Sequence, residues 1–312
     1  MSAFAFVFPG QGSQSVGMLD AWGDHPVVGE TLAEASQVLG EDLAALIRSG
    51  PKEALDLTAN TQPVMLAASI ACYRAWLAET GRPPAVVAGH SLGEYSALVA
   101  AGVLSLADAV PLVRLRAQAM QDAVPVGAGA MAAILGLDAK AVRAGCAEAE
   151  AATGESVQAA NYNDPKQTVI SGSKLAVDKA CELLKAAGAK RALPLAVSAP
   201  FHSSLMKPAA ERLRQRLVAV VLAVPAIPVL NNIDVAIESE PAAIRDALYR
   251  QAFGPVRWVE TVQALKARGV TTVVECGPGK VLAGLVKRVD AELAALNIFD
   301  PSSLAETKGA LA

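Results

Sequence analysis

Aromatic residues and basic charge are both scarce in this sequence. Phe, Trp and Tyr together make up 4% of the 312 residues, so the interior must be filled mainly by Ala, Val and Leu. The formal net charge is −3, which argues against a general nucleic-acid binder, since such proteins carry a basic excess. Hydrophobic residues reach 53%, so the chain can bury a large core and is not disordered. Length and composition predict an Ala-rich α/β protein of about two domains.

Cysteine is sparse and widely spaced, which limits the kinds of metal or redox site available. The four cysteines contain no CxxC pair, so neither a zinc site nor a redox motif is expected. We expect free thiols in a reducing compartment at Cys72, Cys146, Cys181 and Cys276. Dinucleotide-binding spacing and a Walker lysine are also missing, and no metal or cofactor is predicted.

Long apolar runs are missing as well. The longest, Leu217–Leu230, has 14 residues and is broken by Pro225 and Pro228, whereas a membrane helix needs about 20. The amino terminus carries no basic stretch of the kind that precedes a signal-peptide core. We therefore expect a cytoplasmic protein that does not interact with membranes.

The order of predicted elements divides the chain into a large domain and an insert. Strands and helices alternate from a first strand at Ala3–Phe8, which predicts a mostly parallel sheet with helices on both faces. Between 127 and 197 the order becomes β-α-β-β-α-β, that of a ferredoxin-like subdomain. We predict a large domain over 1–126 and 198–300, a small subdomain over 127–197, and a flexible, small and polar tail over 301–312.

Local signals predict the bounds of individual elements within this outline. A helix is expected over Thr61–Thr80, with Thr61 as its N-cap and Gly81 at its carboxyl end. A later helix is expected over Met206–Val224, and the last strand of the insert over Ala192–Val197.

A Gly-x-Ser-x-Gly sequence lies between a predicted strand and a predicted helix. Gly89-His90-Ser91-Leu92-Gly93 has the spacing of a nucleophile elbow, in which flanking glycines let a strand and a helix pass closely. The turn exposes the serine oxygen, and the Leu92 N–H at the helix start points to where an oxyanion would form. Ser91 is therefore the candidate nucleophile, and a glycine-rich connector is the alternative.

A serine nucleophile needs a base, and the chain has only three histidines. His25 lies in a polar segment and is expected at the surface. His90 is the neighbour of the serine on the turn and should point elsewhere. His202 follows the predicted insert, where the chain re-enters the large domain. We predict that His202 is the base.

Two further features could contribute to such a site. Gly10-Gln11-Gly12 follows the first strand, and its Gln11 N–H could be a second oxyanion donor because the carboxyl ends of parallel strands meet at one edge. Arg114 and Arg116 lie about 200° apart on a helix, so only one can face a pocket. A pocket-facing arginine would clamp a substrate carboxylate. Periodicity alone does not choose between the two.

Together these stretches resemble the malonyl-CoA:acyl carrier protein transacylases, which are related to the acyltransferase domains of fatty acid and polyketide synthases. The resemblance extends over about residues 3–290 and rests on several stretches: Phe8–Gln14, Thr61-Gln62-Pro63, Gly89–Gly93, Arg116, Asn161-Tyr162-Asn163, His202, Asn231-Asn232 and Glu275–Gly279. It implies an α/β-hydrolase-like core with a ferredoxin-like insert, which agrees with the pattern of predicted elements.

The resemblance also implies how the catalytic groups are divided. Ser91 would be the nucleophile and His202 the base. The backbone N–H groups of Gln11 and Leu92 would form the oxyanion hole. No acid is implied as a third member of a triad.

Further residues are implied at the substrate. Arg116 would pair with the free malonyl carboxylate, and the backbone carbonyl of Gln251 would orient the histidine. An aromatic residue at Phe201 is similar to malonyl-selective members, where bulk limits branching at the α-carbon. Asn161 and Gln62 complete the implied substrate site.

The implied reaction moves a malonyl group from malonyl-CoA to the phosphopantetheine thiol of an acyl carrier protein, through a malonyl-serine ester, for fatty acid biosynthesis. No nucleic acid or membrane partner is implied, and a monomer is expected. The alternatives are a polyketide-pathway acyltransferase, a serine hydrolase of the thioesterase or lipase type, and a carrier-binding module with an inactive site. Lys190–Arg191 and Lys287–Arg288 are candidate docking pairs for the carrier.

Overall fold

The main sheet is parallel throughout. The computed structural model describes residues 3–312. With strands numbered in chain order, the strands of this sheet are β1 (Ala3–Phe8), β2 (Val86–Gly89), β7 (Val229–Leu230), β8 (Val270–Cys276) and β9 (Ala294–Ile298). They are arranged in the order β7-β2-β1-β8-β9. All neighbouring pairs are parallel, which confirms the predicted sheet type.

Alternation along β1 separates two hydrophobic cores. Its even-numbered positions are phenylalanines, which pack at an angle against Tyr73 and Trp76 on one face of the sheet. Ala5 and Val7 face the other core. Three of the six phenylalanines of the chain therefore lie in one strand, so the scarce aromatic residues are concentrated where the sheet meets its helices.

Helices cover both faces of this sheet. The helices of the large domain are α1 (Pro26–Leu39), α2 (Leu43–Ser49), α3 (Lys52–Leu55), α4 (Thr58–Thr80), α5 (Gly93–Ala100), α6 (Leu106–Asp122), α9 (Lys207–Ala219), α10 (Pro241–Gln251), α11 (Trp258–Ala267), α12 (Val281–Val289) and α13 (Pro301–Ala310). Helices α1, α4, α6 and α9 pack on the phenylalanine face. Helices α11 and α12 pack on the other face.

The predicted insert forms a separate antiparallel sheet with two helices. Its elements are β3 (Gly129–Leu135), α7 (Ala139–Thr153), β4 (Val157–Asp164), β5 (Gln167–Ser173), α8 (Lys174–Ala186) and β6 (Arg191–Pro194). The strands are arranged in the order β4-β5-β3-β6. The two helices cover one face. The β-α-β-β-α-β prediction is confirmed, and the whole unit lies within 127–197. The opposite face of the sheet faces the large domain.

The start of α4 differs from the prediction. The helix begins at Thr58, with Leu57 as its N-cap, and Gly81 ends it in the left-handed conformation. The Thr61 hydroxyl donates to the carbonyl oxygens of Leu55 (2.7 Å) and Leu57 (3.1 Å). The prediction that Thr61 is the N-cap is wrong because its hydroxyl bonds back onto carbonyls, as it can inside a helix, instead of accepting a backbone N–H.

The prediction of a flexible tail over 301–312 is also wrong. Asp300 caps α13, since its carboxylate accepts from the Ser303 N–H at 2.7 Å while the Ser303 hydroxyl accepts from the Asp300 N–H at 3.1 Å. Leu304 and Thr307 are buried. A capping box and one buried leucine order a segment whose small, polar composition had indicated fraying.

Two other elements are shorter than predicted. Helix α9 ends at Ala219 because the following segment is extended and bonds to another part of the chain. There Ala223 N–H donates to the Val103 carbonyl at 3.0 Å, and Ala226 N–H donates to the Ala101 carbonyl at 2.9 Å. Strand β6 ends at Pro194 instead of continuing to residue 197.

Within residues 3–312, none of the helices combines the length and the apolar character that crossing a bilayer requires. The four cysteines are free thiols, as predicted.

Candidate active site

A cleft of about 650 Å³ lies between the carboxyl edge of the main sheet and the inner face of the small sheet. The loop after β1, including Gln11, and the turn after β2, including Ser91, form its base. Met131 and Val169 of the small sheet form the facing side. Parallel sheets bind ligands at this edge, so the position of the cleft agrees with the predicted site.

The turn after β2 has the geometry of a nucleophile elbow. Ser91 has φ +54°, a left-handed conformation that costs free energy for a residue other than glycine. A Cβ on Gly89 would lie 1.9 Å from the carbonyl carbon of Gly93, and a Cβ on Gly93 would lie 2.0 Å from the Phe8 carbonyl oxygen. The two glycines are therefore required by close backbone contacts, as the motif predicts.

Ser91 and His202 meet across the cleft. The Ser91 Oγ lies 2.6 Å from His202 Nε2, although 111 residues separate them in the chain. His202 Nδ1 lies 3.0 Å from the carbonyl oxygen of Gln251 and 3.1 Å from that of Gly254. Carbonyl oxygens only accept, so Nδ1 carries the proton and Nε2 is free to accept the Ser91 hydroxyl proton.

The surroundings of His202 keep its imidazole neutral. Burial lowers the pKa to about 3, and the positive charge of Arg116 and the neighbouring His90 act in the same direction. The hydrogen bonds to the two carbonyl oxygens act in the opposite direction. A neutral imidazole is the form that can accept a proton from serine, so the ring is ready to act as a base at neutral pH.

Two backbone N–H groups are available beside Ser91. Leu92 lies at the start of α5, and Gln11 lies in the loop after β1. Within residues 3–312 neither N–H donates to another protein group. The loop after β1 approaches the elbow closely, since a Cβ on Gly10 would lie only 2.6 Å from the His90 carbonyl oxygen. Gln11 and Leu92 both line the cleft, and their role as oxyanion donors stays a prediction.

Arg116 lies on the floor of the cleft and is 2% exposed. Its Nη1 donates to Gln62 Oε1 at 2.8 Å, and its Nη2 donates to Gln251 Oε1 at 3.1 Å and to Ser91 Oγ at 3.2 Å. Arg114 points away and forms an ion pair with Glu41 at 2.5 Å. The structure therefore decides the choice that helical periodicity left open.

The side chains of Gln251 and Glu94 extend this network and were not predicted. Gln251 Nε2 donates to the Ser91 carbonyl oxygen at 2.9 Å and to Glu94 Oε2 at 3.1 Å. The family resemblance implies a role for the backbone carbonyl of Gln251 alone. Glu94 had one signal, since it directly follows the elbow motif, but an acid in the first turn of a helix is common for electrostatic reasons alone.

Asn232 also belongs to the site, although the sequence does not predict it there. Its Oδ1 accepts from the Ser91 N–H at 2.7 Å, and its Nδ2 donates to the Gly89 carbonyl oxygen at 2.6 Å. Its own N–H donates to Glu94 Oε2 at 2.8 Å. Asn232 thus holds both sides of the strained turn, and only its presence in Asn231-Asn232 had marked it.

Phe201 and Asn161 line the cleft on the side of the small subdomain. Phe201 is half-buried and packs against the apolar inner face of the small sheet. Asn161 is buried in β4, whose backbone is joined to the large domain by the hydrogen bond from Val256 N–H to the Ala160 carbonyl at 2.8 Å. Both residues line the predicted site, and their contact with a substrate stays a prediction.

His90 joins the elbow to the small subdomain. Its Nε2 lies 2.9 Å from Asn163 Oδ1, and its ring packs against Trp258 with centroids 5.5 Å apart. Burial lowers its pKa. His90 therefore contacts the subdomain and not Ser91, as expected for the neighbour of the nucleophile on the turn.

The two candidate docking pairs differ in availability. Arg288 Nε donates to Asp164 Oδ2 at 2.7 Å, which links α12 to the small sheet. Lys190 and Arg191 are exposed at the end of the small sheet and form no ion pair within residues 3–312. Carrier docking at Lys190–Arg191 stays a prediction.

Comparison with known proteins assigns the family. A family model described as "Acyl transferase domain" matches residues 5–297. The chain belongs to this acyltransferase family. The membership confirms the predicted resemblance and the predicted class of enzyme.

Individual relatives cover nearly the whole chain. The malonyl CoA-acyl carrier protein transacylase of Escherichia coli strain K12 is 54% identical over 306 residues, which are 98% of each chain. The protein of the same name from Bacillus subtilis strain 168 is 48% identical over 305 residues, which are 97% of this chain and 96% of that one.

Solved structures show the same fold. An acyl-carrier-protein S-malonyltransferase from Burkholderia pseudomallei 1710b has a TM-score of 0.96 at 64% identity, covering 98% of this chain and 99% of that one. A malonyl-transacylase in complex with a type II PKS acyl-carrier protein has a TM-score of 0.95 at 52% identity, covering 97% and 98%. These similarities confirm the predicted fold class, an α/β core with an inserted subdomain.

Proposed function

We propose that this acyltransferase moves a malonyl group from malonyl-CoA to the phosphopantetheine thiol of an acyl carrier protein, in fatty acid biosynthesis. The observation that carries the proposal is the contact of Ser91 Oγ with both His202 Nε2 (2.6 Å) and Arg116 Nη2 (3.2 Å). One contact supports Ser91 as the nucleophile, and the other supports Arg116 as a cation beside the acyl group that Ser91 would carry. The names of the curated and structural relatives agree with this substrate pair.

In the first half-reaction the Ser91 hydroxyl attacks the thioester carbonyl. His202 Nε2 takes the hydroxyl proton, the new C–O ester bond forms, and the C–S bond to coenzyme A breaks. The proton then passes from His202 to the departing thiolate. A positioned base of this kind contributes about 10²–10⁴ in rate.

The developing negative charge on the carbonyl oxygen needs donors. The N–H groups of Gln11 and Leu92 are the available ones, and each such donor is worth about 10²–10³ in rate. In the second half-reaction the carrier thiol gives its proton to His202 and attacks the Ser91 ester. The malonyl group leaves on the carrier, and Ser91 regains its proton from His202.

Arg116 selects the acyl group. Within residues 3–312 its buried guanidinium donates hydrogen bonds only to neutral oxygens, so a malonyl carboxylate would supply an anionic partner at bonding distance. A charge-assisted hydrogen bond contributes about 1.5–3 kcal/mol, so a forked pair can favour malonyl over acetyl by a hundredfold or more.

We further expect that the protein is a cytoplasmic monomer and that it needs no cofactor.

The test is intact-mass analysis and peptide mapping after incubation with malonyl-CoA. We expect one malonyl adduct on Ser91 in the unmodified protein, none in Ser91→Ala, and a full adduct in the control Ser302→Ala, which changes an exposed serine of α13. Adding holo-carrier protein should move the adduct to the carrier. Release of free malonate as the main product would favour the serine hydrolase alternative. No adduct on any variant would contradict the proposal.

A further inference from the structure

Glu94 has no role in the reaction just described, yet it lies directly beneath the floor of the cleft. It is in the first turn of α5, and 2% of its surface is exposed. Its Oε2 accepts from the Asn232 N–H at 2.8 Å and from Gln251 Nε2 at 3.1 Å. It forms no ion pair with a basic side chain of residues 3–312. A buried carboxylate is costly unless a positive charge offsets it.

The positive charge that offsets Glu94 is that of Arg116, and the side-chain amide of Gln251 connects the two charged groups by hydrogen bonds. Gln251 donates to Glu94 from Nε2 and accepts from Arg116 at Oε1. The hydrogen-bond network fixes this orientation, because a reversed amide would set its NH₂ group against the guanidinium and its oxygen against the carboxylate. Both charged groups are 2% exposed, so their attraction is weakly screened.

The charged groups around Glu94 are few. Arg116 acts on it from α6, and Asp234 acts on it from the loop before α10. Glu238 shares a small cavity with it, to which α10 presents only the apolar Ile244 and Ala247. The elements β1, β2 and α4, which also pack against α5, contribute no charge that acts on Glu94.

Opposing effects on the carboxyl group of Glu94 set its pKa close to neutral pH. Burial raises its pKa to about 7, and the negative charge of Asp234 acts in the same direction. The hydrogen bonds from Gln251 and Asn232 and the positive charge of Arg116 act in the opposite direction. A further negative charge near Arg116 would partly offset the guanidinium charge, so Arg116 would stabilise the ionised form of Glu94 less.

We propose that Glu94 is the resident counter-ion of Arg116, and that a malonyl carboxylate competes with it for the guanidinium, so that loading Ser91 with malonate drives a proton from solvent onto Glu94. The inference rests on the proposed function. Because coupling between two binding events is reciprocal, an ionised Glu94 weakens malonyl binding and a protonated Glu94 strengthens it. An acetyl group has no carboxylate and leaves the Glu94–Arg116 pair unchanged.

The experiment measures protons consumed per acyl-enzyme formed. Wild-type protein is mixed with malonyl-CoA in weakly buffered solution at about pH 7.5 with a pH indicator, and intact mass gives the amount of acyl-enzyme. If the second carboxylate changes the proton affinity of Glu94 tenfold, about half a proton is taken up per site. Acetyl-CoA, normalised to the acetyl-enzyme formed, corrects for the released thiol and should show no uptake.

Two matched variants assign the proton. Glu94→Gln keeps an oxygen that can accept both hydrogen bonds but removes the charge, and it should abolish the uptake. Glu275→Gln is the control, because Glu275 is also a buried carboxyl with its pKa raised by burial to about 7, but it caps α12 through the Ala283 N–H at 2.8 Å. The uptake should persist in this control.

Each outcome bears on the proposal. Uptake that survives Glu94→Gln would assign the proton to another group such as His202 and overturn the inference. Malonyl-enzyme formed by the wild type without uptake would also overturn it, while leaving the proposed function intact. If Glu94→Gln does not fold, a wild-type pH series decides: the uptake should be largest near pH 7.5 and vanish near pH 5, and a constant uptake overturns the inference. No malonyl-enzyme at all would overturn the proposed function first.

Discussion

The two sides of the cleft are built differently. The polar floor, formed by Ser91, His202, Arg116, Gln251 and Gln62, is held by hydrogen bonds at 2.6–3.2 Å, most of them between residues far apart in the chain. The apolar wall, formed by Met131, Val169, Leu195 and Phe201, is supplied by the small sheet and the segment that follows it. The floor has directional contacts, whereas the wall contributes shape.

This difference indicates where chemistry and selectivity arise. Hydrogen bonds in a buried site contribute much less stabilisation after small displacements of their atoms. Substitutions in the floor should therefore have large and specific effects on activity. Apolar contacts are non-directional and tolerate changes of size. Substitutions in the floor should therefore cost far more activity than substitutions in the wall.

The largest effect is expected for His202→Ala. Removing the base that contacts Ser91 should slow formation of the malonyl-enzyme by about 10²–10⁴. The measurement is rapid-quench mass analysis of the acyl-enzyme. His25→Ala, which changes a histidine outside the cleft, is the control and should retain the normal rate. A loss of less than about tenfold in His202→Ala would remove the base from the mechanism.

A smaller but more selective effect is expected for Arg116→Ala. Loss of the charge-assisted pair should lower kcat/KM for malonyl-CoA by about a hundredfold while acetyl transfer gains relative to malonyl transfer. Arg114→Ala removes a guanidinium two positions away that pairs with Glu41, and it should leave the malonyl-to-acetyl ratio unchanged. An unchanged ratio in Arg116→Ala would count against the clamp.

In the wall we expect a change of selectivity with little change in rate. Phe201→Ala enlarges the cleft beside the acyl group, so the yield of acyl-enzyme from methylmalonyl-CoA relative to malonyl-CoA should rise severalfold. The malonyl rate itself should change only a few-fold, because no hydrogen bond is lost. A malonyl loss as large as that of Arg116→Ala would erase the distinction between wall and floor.

The smallest effect is expected from pH. A pKa of His202 held at about 3 by burial and by Arg116 keeps the base neutral at pH values where a free imidazole is protonated. The rate of Ser91 acylation by an uncharged ester such as p-nitrophenyl acetate should therefore change less than about twofold between about pH 8 and pH 5, and fall only as the pH approaches 3. A midpoint near 6.5 would show that the floor does not protect His202.

Much of the fold could be predicted because its signals are local. The strand Ala3–Phe8, the elbow and the β-α-β-β-α-β order of the insert each depend on residues close in sequence. The errors also have local causes. Small polar residues after Pro301 indicated a loose tail, but the local capping box of Asp300 and Ser303 and the burial of Leu304 order it.

The site could be predicted only in part. Ser91 was marked by its motif, and His202 by the small number of histidines and by its place after the insert. The side-chain role of Gln251 had no signal, and the positions of Glu94 after the elbow motif and of Asn232 in Asn231-Asn232 did not indicate what these side chains bind. Their hydrogen bonds join segments up to 160 residues apart, and no periodicity reports such contacts.

The sequence by itself determined which groups are available: one serine on a glycine-flanked bend, three histidines, two arginines on one helix, and no clustered thiols. These follow from residue identity and from spacing along short segments, where backbone geometry is predictable. The tertiary structure alone decided which arginine faces the serine, which nitrogen of His202 is free to accept a proton, and which buried acid balances the guanidinium. Those choices depend on distances of a few ångströms across folded layers, and the packing of the whole chain sets them.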